Sequence, residues 1–421
     1  MPVINYDKKF IKKSGSNTRL PFDSANGQEI RDLWPQDFLD NVWPHVNLIS
    51  VVPNDYINSY INEYKEFPDD ADIFKQFDIT NKQIKSLREN PNSFFLSNLV
   101  YEGATAGYPY NGHNYFSVLT NSGKRHGIPG EKIFHITSNL HEEQNYELWQ
   151  NKNSPDYKIN VITINIFEVY HDFDQKCISI DQTVDKIKRL SDKYFLCLNR
   201  RVRPLRVVSL YKMFKSSILP NTIMSYDKLA ENIPQRAYEY LHGDISKLDS
   251  EIVKKLIDSS PCIIDRTDFE TDWNQITFIE RDVNVLMSIV HETLHESYNG
   301  TNIFITEKTL RPMLANHPII VIGQPGANTK LPLMGYKTYD AYFDLSFDTV
   351  ENHFERLDLQ IHQLEELNEK FKSMTSDQRI KWLLQDVETL EHNKNLLKEH
   401  NYFKQGLTKF INKIKELINI Q

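Results

Sequence analysis

Cysteine is scarce in this chain: Cys177, Cys197 and Cys262 stand alone, odd in number and without a C-x-x-C spacing. That excludes a disulfide framework and a cysteine-built zinc site, and it fits a reducing compartment. Long apolar runs are lacking as well. The opening "MPVINYDKKFIKKSGSNTR" is polar and basic, and no stretch approaches the ~20 apolar residues that span a bilayer, so the expected location is cytoplasmic, with no transmembrane segment. Excess positive charge is missing too. A net charge of -8 argues against bulk attraction to nucleic acid or anionic membrane. There is no internal repeat and no low-complexity tract, so the fold must follow from the order of its elements.

What is present suits a globular protein: 421 residues, 40% hydrophobic and 25% charged, are enough for two cores. Short apolar runs at 46–53, 93–100, 132–137 and 159–167 read as strands, and Asn139 reads as the cap of the helix that follows the third. A charged helical stretch at 181–193 leads into a second series, with strands at 194–198, 221–227, 278–292, 318–323 and 341–345. Strands alternating with helices predict α/β architecture: two Rossmann-like domains with parallel sheets, residues 1–190 and 191–349. From 350 to 421 the apolar period becomes three and four, through Phe354, Leu357, Ile361, Leu364 and later Phe403, Leu407, Phe410. These are amphipathic helices, expected to pack on the two domains rather than on a membrane.

The string "HETLHE" contains H-E-x-x-H in His291, Glu292 and His295, the spacing of a zinc hydrolase. Its surroundings point elsewhere. The preceding "VNVLMSIV" is β-branched and apolar, and Asn299-Gly300 signals a turn. In an extended chain residues four apart lie ~13 Å apart, too far for two ligands of one ion. A zinc hydrolase built on these residues is the alternative against which a non-metal reading is weighed. Asp172 and Asp174 form a D-x-D that could hold a divalent ion on a diphosphate, though an acidic solvated turn explains them as well.

Two basic stretches are richer. "LNRRVRPLR" places Arg200, Arg201, Arg203 and Arg206 between a strand and a helix opened by Pro204. Helix amides and guanidinium forks together suit a diphosphate, whereas a solvated basic turn is the plainer explanation. "NIFITEKTLRPMLANHPIIVIGQPG" supplies Thr306 as a helix cap, Glu307 and Lys308 in the first turn, Arg311 one turn on, and a tight turn through Gly323 and Gly326 after a buried strand. The plainer explanation is a surface i,i+4 pair of Glu307 with Arg311.

The segment "FITEKTLRPMLANHPIIVIGQPG" resembles the donor motif of GT-B glycosyltransferases, particularly the α1,3-fucosyltransferase type, and "LNRRVRPLR" is similar to the basic loop such enzymes set against the diphosphate. The likeness covers about 194 to 347. It implies a nucleotide-diphosphate sugar as donor substrate, no tightly bound cofactor and no metal. Glu307 would hold the ribose. Lys308 and Arg201 would stabilise the leaving diphosphate, with Arg200, Arg203, Arg206 and Arg311 assisting. Phe304 would occupy the place of the aromatic that precedes the motif, and Glu292 becomes a sugar or ribose ligand. Glu102, after the strand at 93–100, is the expected general base, with Tyr101, Tyr108, Tyr110 and Tyr115 as a sugar-stacking surface or core. The acceptor stays open among glycan, protein, small molecule and modified nucleobase, and a non-catalytic nucleotide-sugar or glycan-binding protein is the further alternative.

Overall fold

The computed structural model describes residues 33–53, 70–100, 115–169, 177–199, 202–262, 264, 279–294 and 302–418. The chain divides into two compact units, one running to Val169 and resuming at Tyr402, the other from Tyr170 to Asn401.

The first unit holds β1 (Asn47–Val51), α1 (Ile73–Gln76), α2 (Asn81–Glu89), β2 (Ser93–Leu99), α3 (Tyr115–Arg125), β3 (Ile133–Thr137), α4 (Glu142–Asn153) and β4 (Asn160–Thr163). The four strands are parallel in the order β1-β2-β3-β4. Stepping always in one direction, right-handed crossovers put their helices on one face. There Phe95, Leu99 and Ile133 pack with Phe116, Leu119 and Tyr146. The opposite face needs another cover, which the closing helix Asn401–Ile418 provides: Phe410 meets Phe134 at 5.3 Å and Trp34 at 6.3 Å, and Phe134 meets Phe94 at 5.8 Å. With both faces covered, β2 is buried along its whole length, its polar Ser93, Ser97 and Asn98 included.

Two expectations shift here. The strand expected through Phe167 stops at Thr163, because Asn165 accepts a hydrogen bond from Phe167 N at 2.9 Å and folds the chain into a 3-10 turn. Asn139 lies two residues before the N-cap of α4, which is His141, accepting from His141 N at 3.2 Å and donating to Glu142 Oε2 at 2.5 Å.

The second unit contains α5 (Ile180–Lys188), β5 (Phe195–Leu198), α6 (Pro204–Lys215), β6 (Thr222–Ser225), α7 (Ile233–Tyr240), α8 (Ser250–Asp258), α9 (Ile279–Asp282), β7 (Met287–His291), α10 (Glu307–Leu314) and β8 (Ile319–Ile322). Three further helices follow, α11 (His353–Ser373), α12 (Ser376–Leu384) and α13 (Val387–Lys398). Helix α5, read from sequence as the end of the first domain, belongs here: Thr183 Oγ1 donates to Ala315 O at 3.2 Å, and Asn316 Nδ2 to Ile178 O at 3.0 Å.

All four strands of this sheet are parallel, in the order β6-β5-β7-β8. From β5 the chain steps outward to β6, then returns to the other side of β5 to place β7. Right-handed crossovers therefore put α6 and α10 on opposite faces, and the direction reverses between β5 and β7.

Two further readings need correction. The run at 278–292 is a strand only from Met287, since its charged start forms the short helix α9. Residues 341–345 form no strand: Tyr342 and Phe343 sit in turns, with Tyr342 against Trp382 at 5.2 Å and its hydroxyl donating to Leu383 O at 2.7 Å. Tyr342 is thus packed against helix α12 rather than paired in a sheet.

Candidate functional site

At the reversal, the carboxyl ends of β5 and β7 lie side by side, with Cys197 opposite Ile289. Each leads into a helix. After β5, Arg203 takes an extended conformation as N-cap, and Pro204, which lacks an amide hydrogen, opens α6. After β7, Thr306 caps α10 through its side chain.

Arg206, in the first turn of α6, is buried, and its Nη2 donates to His291 O at 3.2 Å. Burial pulls the guanidinium below the usual arginine range and the Arg203 charge adds to that, while Glu292 and Glu307 oppose both. Arg203, Glu292 and Glu307 are thus electrostatic neighbours of Arg206. Lys308 joins them: its Nζ lies 2.9 Å from Glu307 Oε1 and 3.0 Å from Thr306 Oγ1. Three cations, Arg203, Arg206 and Lys308, are gathered with two carboxylates at the starts of two helices.

Glu292 differs from its sequence assignment as a sugar or ribose ligand. Oε1 accepts from Thr306 N at 2.9 Å and Thr309 Oγ1 at 2.6 Å, and Oε2 accepts from Thr306 Oγ1 at 2.7 Å and Thr293 N at 3.2 Å. A carboxylate has about four acceptor positions, so the protein itself occupies them. Arg311 lies buried, with Nη2 2.8 Å from Glu280 Oε2 in α9, a partner that helix spacing does not point to. Phe304 is only 4% exposed and its amide donates to Gln324 Oε1 at 2.9 Å, so the ring sits inside the unit rather than in an open stacking position.

The glycine turn after β8 closes in on the same place. A side chain at Gly323 would approach Glu292 Cβ to 3.1 Å, and Gly326 has φ +86°, where glycine is favoured. Sequence reasoning missed what braces this turn. Asp348 accepts from Asn328 N at 2.9 Å and Thr329 N at 2.7 Å, while Arg356 Nη2 donates to Gly323 O at 2.9 Å. Both partners come from far along the chain, so no local pattern signals them.

The described part of the H-E-x-x-H string, residues 291–294, does not lie on a helix: β7 ends at His291. The His291 ring is buried, with Nε2 2.5 Å from Ser209 Oγ and Nδ1 3.5 Å from Cys197 Sγ. Burial, aided by Arg206, pushes its pKa down to about 3, and burial pushes the Cys197 thiol up to about 12. Among the described residues no group of three or more His, Cys, Asp or Glu is placed to hold a metal ion.

Arg200, Arg201, Glu102, Tyr101, Tyr108, Tyr110, Asp172, Asp174 and His295 lie outside the described residues. Tyr115 is core: it is 1% exposed, and its hydroxyl shares a 2.9 Å hydrogen bond with Ser97. A hollow of about 500 Å³ lined by Glu131, Asp156, Lys158 and Lys413 opens at the amino ends of β3 and β4, the end away from which parallel sheets bind ligands. Among the described residues no helix is long and apolar enough to cross a membrane. Compared with known proteins, the chain matches no family model, no curated protein and no solved structure.

Proposed function

We propose that the chain is a glycosyltransferase of GT-B type that takes its sugar from a nucleotide-diphosphate donor held in the second unit. The observation that carries this reading is the strand-order reversal between β5 and β7, with Arg203, Arg206 and Lys308 gathered at the two helix starts beside it. Parallel sheets take ligands at such a reversal, outside the carboxyl ends of the strands. Helix amides and fixed cations there suit an anion that gains charge as it departs.

In the reaction, an acceptor hydroxyl oxygen forms a bond to the anomeric carbon as that carbon's bond to the diphosphate oxygen breaks. The bonding pair leaves with the diphosphate, where Lys308, Arg203 and Arg206, with Arg201 by resemblance, stabilise it. The hydroxyl proton passes to a carboxylate, for which Glu102 is our candidate. Glu307 is assigned to the ribose, and the acceptor class stays open.

Calorimetric titration with a panel of nucleoside diphosphates tests the donor site. One of them should bind, and Lys308→Ala should weaken it by ~1.5–3 kcal/mol, the usual range for a hydrogen bond to a charged group. Full affinity in both Lys308→Ala and Glu307→Ala would remove those assignments. Release of nucleoside diphosphate from a nucleotide-sugar panel then separates turnover from binding alone.

A further inference from the structure

His291 and Glu292 are consecutive residues at the end of β7, and each grips a different helix. His291 holds α6 at two points: its carbonyl accepts from Arg206 Nη2 at 3.2 Å, and its Nε2 meets Ser209 Oγ at 2.5 Å. Arg206 and Ser209 are three apart and so share one helix face. Glu292 holds α10 through Thr306 and Thr309, also three apart. Neighbouring side chains on an extended chain point to opposite sides, and α6 and α10 lie on opposite faces of the sheet. Two adjacent residues therefore reach two helices that no single residue could span.

We propose that His291 and Glu292 are the positioning pair of the donor site, setting the starts of α6 and α10 so that Arg206 and Lys308 address one diphosphate. This rests on the donor-site reading above.

The chemistry requires a carboxylate at 292. Because Glu292 Oε2 only accepts, the Thr306 hydroxyl must donate to it at 2.7 Å, which turns that oxygen's lone pairs toward Lys308 N at 3.4 Å and Nζ at 3.0 Å. An amide nitrogen facing Thr306 would reverse the hydroxyl and take an acceptor from Lys308. The negative charge also lies beside buried Arg206, which a neutral residue would leave with less compensation.

The test is calorimetric titration of the full chain with inorganic diphosphate and with nucleoside diphosphates, paired with thermal melting. Glu292→Gln and Thr306→Val should weaken both ligands on the order of tenfold to a hundredfold, as loss of positioning does. Thr306→Ser, which keeps the hydroxyl, should restore wild-type affinity, and Ser209→Ala should weaken binding from the α6 side. A folded Glu292→Gln that binds as tightly as wild type overturns the proposal. Should that variant fail to fold, the Thr306 pair decides, and equal affinity in Val and Ser overturns it as well. Wild type holding nucleoside diphosphates no better than inorganic diphosphate sinks the sugar-nucleotide reading but not the positioning pair. Wild type binding neither sinks both.

Discussion

His135, His291 and His317 are each buried with a ring nitrogen against a serine hydroxyl, Ser97, Ser209 and Ser288 respectively. Burial pushes each pKa down to about 3, with Arg206 adding to the effect at His291 and Lys186 at His317. In the unfolded chain a histidine titrates near ~6.5. Above that value neither state binds the proton. Below it the unfolded chain takes up a proton that the native state refuses, so stability present at neutral pH is lost as pH falls from about 6.5 toward 3. Urea unfolding between pH 7 and 5 should show a decline of up to ~1.4 kcal/mol per pH unit for each such histidine. His317→Gln should make that decline shallower, and an unchanged slope would mean that His317 titrates as an ordinary residue. No sequence signal marks these histidines as buried. His291 sits in a string that suggests a metal ligand, and only the neighbouring strand and helix reveal a satisfied core residue.

Among the elements, the closing helix Asn401–Ile418 makes the sharpest claim, at Gly406. A Cβ there would stand 2.5 Å from Thr163 O and 2.7 Å from Ile164 Cγ1. Alanine is favoured over glycine in a helix by ~1 kcal/mol, whereas overpacking costs ~1–3 kcal/mol. The clashing atom is a backbone carbonyl that cannot rotate away, so Gly406→Ala should destabilise the protein despite its better helix propensity. Chemical denaturation would check it, and a stabilised variant would show that the helix does not sit so close to β4. The amphipathic spacing of Phe403, Leu407 and Phe410 made this helix legible, but not the strand end it lies against. The strands show the same division. Apolar runs located β2, β3 and β8 to within a few residues, yet 341–345 offered the same pattern and became turns, because helix α12 and not a strand covers Tyr342. At α10, Thr306 was readable as a cap, and Glu292, which holds that cap, was read as a ligand.

For the molecule as a whole, the donor-site reading relies on cations supplied by the chain. Nucleoside diphosphate affinity should therefore survive dialysis against a chelator, and the purified protein should carry no stoichiometric zinc. Binding lost on chelation and restored by manganese would move the chemistry to Asp172 and Asp174; stoichiometric zinc lost in His295→Ala would revive the hydrolase alternative. The sequence by itself determined the α/β class, the succession of strands and helices, and the helix starts at Pro204 and Thr306, because apolar period, caps and turns are written in neighbouring residues. Only the tertiary structure decided that β7 returns to the far side of β5, that Arg206 and Lys308 share one neighbourhood, and that His291 and Glu292 face inward. Those outcomes depend on pairings between segments dozens of residues apart, which local patterns of hydrophobicity and charge do not encode.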